Sequence, residues 1–217
     1  MVCEEIKSLA EKIGLSQEKT RLAYIISLFH DMGRFRQFHQ FRTFDDSRSV
    51  NHAALSVDII KSDAFLEHIP EAFHELIFQT ILNHNIPFIN VYENNEAALF
   101  TKLLRDADKL DILRIVTRDD LREILEWKDQ TDNYEVSDMI LQRFRDHRIV
   151  TLDLVRSVND LRLVRIGWIF DINFSATFEK IKERKLLEKL FGLLPCSERV
   201  NQIKAMVENY VKIQKFN

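Results

Sequence analysis

Apolar residues return at helical spacing along most of this chain, and that period restricts its fold more than any other feature. Ile6, Leu9, Ala10 and Ile13 keep a 3.6-residue rhythm while Glu4, Glu5 and Lys7 stay off the stripe. Leu22, Ile25, Ile26 and Phe29 repeat it, as do Phe100, Leu103, Leu104, Ala107 and Leu110. Only 4 Gly and 3 Pro occur in 217 residues, too few for a turn-rich β protein. The fold class expected is all-α, a compact multi-helix bundle with a C-terminal helical lobe.

Local signals punctuate the helices. Gly14 ends the first, and Ser16 suits the N-cap of the second. Helicity resumes over 52–60, then from about 69 to 83, where Ile77 and Ile81 share a side with His84 and Pro87 closes the segment. A longer helix is expected over 95–118. Residues 35–51, FRQFHQFRTFDDSRSVN, mix aromatics, arginines and acids without a clear period and read as an irregular connection beside a site. Polar-rich helices follow from Asp119, then LVRIGWIFDINFSATFEKI and a last helix pair. The expected organisation is a core over 1–118 with a helical lobe over 119–217 packed on it.

Charge and cysteines narrow the functional classes. A formal net charge of -3 gives no polyanion-binding signature, so no nucleic-acid polymer is expected as partner. No apolar run approaches the roughly 18 residues of a membrane span. Cys3 and Cys196 lack metal or redox spacing and read as free thiols of a reducing cytoplasm, the expected location. The two amphipathic helices after Leu186 suit either closure of the fold or a homodimer contact.

The stretch LFHDMGRF poses the chemical question, because two residues costly to bury unpaired, His30 and Asp31, stand where an apolar stripe ends. His52 in VNHAA, His84 in ILNHN and Asp108 in LLRDADKLD share that helical, metal-competent character. Imidazole nitrogens and carboxylate oxygens suit Mn, Fe, Co, Ni or Zn. Plainer readings stand beside each. His84 is equally a satisfied core histidine, Asp108 a salt-bridge partner of Lys109 or Arg105, and Asp31 a helix cap. His39, His68, His74 and His147 sit in polar surroundings and read as surface residues. Phe35, Phe38, Phe41 and Phe44, spaced by three, read either as stacking surfaces or as a core stripe. Asp45, Asp46 and Ser47 suit a cap for the helix at His52. Trp168, Phe170, Asp171, Asn173 and Phe174 form either a cover over a cleft or ordinary core.

An apolar helix ending in HDMGR, two later NH pairs and then RDADKLD together resemble the HD-domain superfamily of metal-dependent phosphohydrolases, over roughly residues 1–118. The resemblance implies that His30, Asp31 and Asp108 are metal ligands, with His52 and His84 as the extra histidines of two-metal members. It implies one or two divalent ions (Mn, Fe, Co, Ni, Zn or Mg), with Asp31 able to bridge a pair. Asp106 and Asp111 then fall off the ligand position. The family's first histidine would lie upstream of Met1. A metal-activated water would attack a phosphate ester of a small phosphorylated substrate, a nucleotide or another phosphomonoester, with Asp31, Arg34 and Lys109 as catalytic residues. Arg34, Arg36, Arg42 and Lys109 would bind the substrate. Two other classes are similar in ligand order: a degenerate HD domain that binds a nucleotide and regulates, and an HD-fold di-iron oxygenase.

Overall fold

Several helix starts are set by one small polar side chain. In the computed structural model, which describes residues 1–63, 65–86, 95–117 and 134–213, Ser16, Asn51, Ser137 and Ser157 each accept a backbone N–H from the first turn of the next helix. Each such cap contributes about 1 kcal/mol. The helices are α1 (Val2–Lys12), α2 (Gln17–Phe29), α3 (Met32–Phe41), α4 (His52–Ser62), α5 (His74–Asn83), α6 (Asn95–Val116), α7 (Asp138–Arg145), α8 (Val158–Gly167), α9 (Ser175–Glu183), α10 (Leu186–Gly192) and α11 (Glu198–Ile213). The fold is all-α, with no strand among the described residues.

The chain divides into two compact units, Met1–Asp108 and Lys109–Asn217, and the division falls within α6. In the first unit α1 packs on α2, α2 on α5, α3 on α4 and α4 on α5. Its core holds Ile6, Leu9, Ile26, Ile60, Ile77, Ile81, Phe100, Leu103 and Leu104, each 2% exposed or less. Burying one such side chain contributes about 1.5–3 kcal/mol. The N-terminal part of α6 is tied in by polar contacts. Glu96 pairs with Lys19 of α2 at 2.8 Å, and Arg105 donates to the carbonyls of His84, at 3.1 Å, and Ile86.

In the second unit α7 packs on α8 and α11, and α10 on α8 and α9. Phe170, in the 3-10 turn Trp168–Asp171, meets Phe144 and Tyr210 edge-on at 5.7 and 4.9 Å and stacks on His147 at 5.4 Å. Phe170 thus makes its ring contacts within its own unit, and the group around Trp168 is half-buried there.

Three local expectations need correction. Residues 35–41 are not irregular but helical, within α3. The helix expected from about 69 begins at His74, because Pro70 leads instead into a 3-10 turn, Glu71–Phe73. Asn51 caps α4, accepting from Ala53 and Ala54, whereas Asp45 caps the 3-10 turn Asp46–Arg48 through Ser47. Pro87 and the polar stretch after Asp119, up to residue 133, lie outside the described residues. No described helix is long and apolar enough to cross a membrane.

Candidate metal centre

The helix α2 buries Ala23, Ile26 and Ser27, and His30 follows on the same row one turn later, so the histidine enters the interior as that helix ends. Asp31 occupies the N-cap position of α3 yet makes no capping bond, which leaves its carboxylate free for other work. His52 is the first residue of α4 and His84 follows the last residue of α5. These four residues are therefore delivered by helix ends, and Asp108 by α6.

Gly33 lets two of those ends meet. A Cβ there would lie 2.2 Å from the His52 carbonyl oxygen and 2.7 Å from the Ser56 nitrogen. In its absence the Gly33 N–H donates to the Ser56 hydroxyl at 2.8 Å. That hydroxyl shares its proton between the carbonyls of His30, at 2.8 Å, and His52, at 2.9 Å.

Hydrogen bonds fix which ring nitrogen each imidazole presents. Nδ1 of His30 donates to the Ser27 carbonyl at 2.6 Å, Nδ1 of His84 to the Ile81 carbonyl at 2.6 Å, and Nδ1 of His52 to Asp46 Oδ2 at 2.7 Å. A carbonyl or carboxylate only accepts, so in the neutral rings all three protons sit on Nδ1 and each Nε2 is a bare lone pair. Those lone pairs converge. His52 Nε2 lies 3.2 Å from His84 Nε2 and 3.3 Å from Asp31 Oδ1. His84 Nε2 is 3.9 Å from the same oxygen, and His30 Nε2 is 3.6 Å from Asp31 Oδ2 and 3.9 Å from Asp108 Oδ1. His30 Nε2 and Asp31 Oδ1 are buried without a hydrogen-bond partner.

The lone pairs of His52 and His84 and the Asp31 oxygen they face repel, and a cation among them removes that cost. His30, Asp31 and His84 already bring ligand atoms within 4.8 Å of one another. The donor set therefore fits a divalent metal, with every imidazole oriented by an outer partner as metal-bound histidines usually are. The imidazole side chains are 7, 4 and 3% exposed, but Asp31 at 44% and Asp108 at 26% keep the cluster reachable from solvent.

Charge is distributed unevenly over the three rings. Burial opposes a charge on His30, but Asp108 and Asp31 outweigh it and hold the ring up at about 9. Burial and the His30 charge push His84 down to about 4, and burial with the Arg34 charge lowers His52. For the metal-free chain, the His30 proton stabilises the fold below its ordinary value of 6.5 and is lost as pH rises toward 9. The depressed His84 acts in the opposite sense, costing stability as pH falls from 6.5 toward 4. The melting temperature of the metal-free protein should thus peak near pH 6.5, and added metal, replacing the His30 proton, should shift the optimum upward. A metal-free stability that climbs steadily to pH 9 would contradict this arrangement.

The remaining expected site residues divide. Arg34 is near the centre: its Nε is 3.6 Å from Asp31 Oδ1, and its Nη1 donates to the Phe44 carbonyl at 2.6 Å, Gln37 Oε1 at 3.1 Å and Asp46 Oδ1 at 3.2 Å. Phe38 follows Arg34 one turn later on α3, Arg36 is turned off that row, and Arg42 ends the helix with a left-handed backbone, φ 56°. The core-stripe reading of the phenylalanines fails: Phe35, Phe38, Phe41 and Phe44 are 82, 42, 44 and 58% exposed, and Phe38 stacks on Phe44 at 4.8 Å. Lys109 is buried in the second unit with its ammonium 2.8 Å from Asp171, so its charge is already matched. Asp106 is fully buried, and Asp111 pairs with Arg114 at 2.7 Å. A shallow depression between Leu66 and His74 contains none of these residues.

Four residues that position the site were not singled out by sequence: Ser56, Gln37 and Asp46 in these roles, and Arg105 at the end of α5. The sequence offered Asp46 only as part of a cap for the helix at His52, and Arg105 only as a salt-bridge partner of Asp108.

The all-α fold agrees with the comparison to known families. The HD domain model matches residues 2–113, more than half of the chain, and the protein belongs to the HD domain family. Members are generally metal-dependent phosphohydrolases. No curated protein and no solved structure matches the chain.

Proposed function

We propose that this protein is a metal-dependent phosphohydrolase that cleaves the phosphate ester of a small metabolite, a nucleotide or another phosphomonoester. The observation that carries this reading is the convergence of the Nε2 atoms of His30, His52 and His84 with Asp31 and Asp108 on a solvent-reachable patch. When bound there, a divalent ion supplies hydroxide near neutral pH and polarises the phosphoryl group. Asp31 turns Oδ2 toward His30 and Oδ1 toward His52 and His84, a division that suits a carboxylate shared by two ions. Arg34 has three acceptors on Nη1, which leaves its Nη2 edge to meet a phosphate oxygen. Lys109, matched by Asp171, contributes less than expected of it. The exposed faces of Phe35, Phe38 and Phe44, on and just after the helix that carries Arg34, suit the flat organic part of an anionic substrate.

Elemental analysis of protein purified without chelator, followed by a phosphomonoester screen with the metal found, tests the reading. One or two divalent ions per chain and turnover of a nucleoside monophosphate at lower KM than a simple alkyl phosphate are expected. Nucleotide binding with neither metal nor turnover would instead indicate a regulatory domain. Two irons with a mixed-valent EPR signal and oxygen-dependent turnover would indicate an oxygenase.

A further inference from the structure

His30 and His84 each anchor Nδ1 on a carbonyl three residues earlier in the chain, at the C-terminal end of their own helix. His52 begins α4, where no preceding helical turn exists to offer such a carbonyl. Its Nδ1 turns instead to Asp46, at 2.7 Å. The Asp46 carboxylate is itself held from several sides. Gln37 Nε2 donates to it at 2.9 Å, Arg34 Nη1 at 3.2 Å and Asn85 Nδ2 at 3.1 Å, so donors from α3, α4 and the end of α5 meet on one side chain. The turn that carries Asp46 does not need this carboxylate. Asp45 holds the turn, accepting the Ser47 N–H at 2.9 Å and the Ser47 hydroxyl at 2.6 Å.

We propose that Asp46 is a positioning residue of the metal centre: its carboxylate fixes His52 as the Nδ1–H tautomer and so presents the bare Nε2 to the cation. The inference rests on the metal reading of the cluster given above. A carboxylate behind an imidazole also raises the basicity of the far nitrogen, and losing such a partner typically lowers metal affinity about 10–100-fold. The donors around Asp46 keep it ionised despite its partial burial: burial alone would raise its carboxyl, while Gln37, His52 and Arg34 lower it. Two of those donors, Gln37 and Arg34, belong to the first turns of α3, directly after Asp31, so Asp46 ties the His52 side of the centre to the His30–Asp31 side.

The test compares the wild-type chain with Asp46→Asn and Asp45→Ala. Imidazole nitrogen NMR on metal-free protein at neutral pH reports the His52 tautomer, and calorimetric titration with Zn²⁺ reports affinity. We expect wild-type His52 to carry its proton on Nδ1, Asp46→Asn to shift the proton toward Nε2 and to bind Zn²⁺ about 10–100-fold more weakly, and Asp45→Ala to match wild type in both. A wild-type proton on Nε2 would overturn the proposal, and that measurement needs no variant to fold. Unchanged tautomer and affinity in folded Asp46→Asn would overturn it equally, as would the same loss in Asp45→Ala, which would mark the loop rather than the carboxylate. Tautomer control by Asp46 in a chain that binds no Zn²⁺ would overturn the metal reading alone.

Discussion

Gly33→Ala is expected to destabilise the protein by about 3 kcal/mol or more and to disorder the metal centre with it. The added methyl would meet the His52 carbonyl oxygen at 2.2 Å and the Ser56 nitrogen at 2.7 Å, both backbone atoms that cannot rotate aside. Relief requires α3 and α4 to separate, which breaks the Gly33 N–H bond to Ser56 at 2.8 Å and leaves that hydroxyl's contacts with His30 and His52 misplaced. Asp31 and His52 would then drift apart from their present 3.3 Å. A fall in melting temperature of about 6 °C or more should accompany loss of metal. A wild-type melting temperature would show that the two helices do not touch in this way.

Asp31→Ala should separate metal binding from stability. Asp31 makes no cap bond to α3, and its side chain is 44% exposed, so its removal costs the metal-free fold little beyond its share in stabilising the His30 charge. Yet it is the only carboxylate facing His30, His52 and His84 together, at 3.6, 3.3 and 3.9 Å among the described contacts. Metal affinity should fall more than about 100-fold, beyond the loss of an outer partner. Melting of the metal-free variant should stay close to that of the metal-free wild type, and the rise on adding metal should vanish. A variant that retained a full complement of metal would refute the assignment of Asp31 as a ligand. Loss of the metal-free fold would instead make it a structural residue.

The helices with strong apolar stripes were legible from the sequence, and with them the placement of His30, His52, His84 and Asp108. The helix α3 was not, for a physical reason. Its buried positions are Gly33 and Gln37, neither of them apolar, while its phenylalanines face outward. Hydrophobic periodicity reports burial of apolar groups, and here a glycine contact and a buried amide do that work. Gln37 donates to Asp46, Ser49 and Val50, so its burial is satisfied by the following loop rather than by its own helix. The role of Asp46 is likewise a product of tertiary approach, since nothing local distinguishes it from Asp45. Lys109 shows how a tertiary partner escapes the sequence. A cation directly after a ligand suggested a phosphate contact, but one residue along a helix turns the side chain by about 100°, and it meets Asp171 instead.

The delivery of ligands by helix ends has a consequence for the lifetime of the chain. Helix termini fray first, and His52 and His84, 32 residues apart, are joined only through the chain that runs between them. An ion gripped by these ends would act as a tether, closing long loops whose entropy favours the unfolded chain. Because only the folded form assembles the grip, resistance to proteolysis would track free metal concentration. Scarcity of the ion would shorten the protein's survival as well as its turnover.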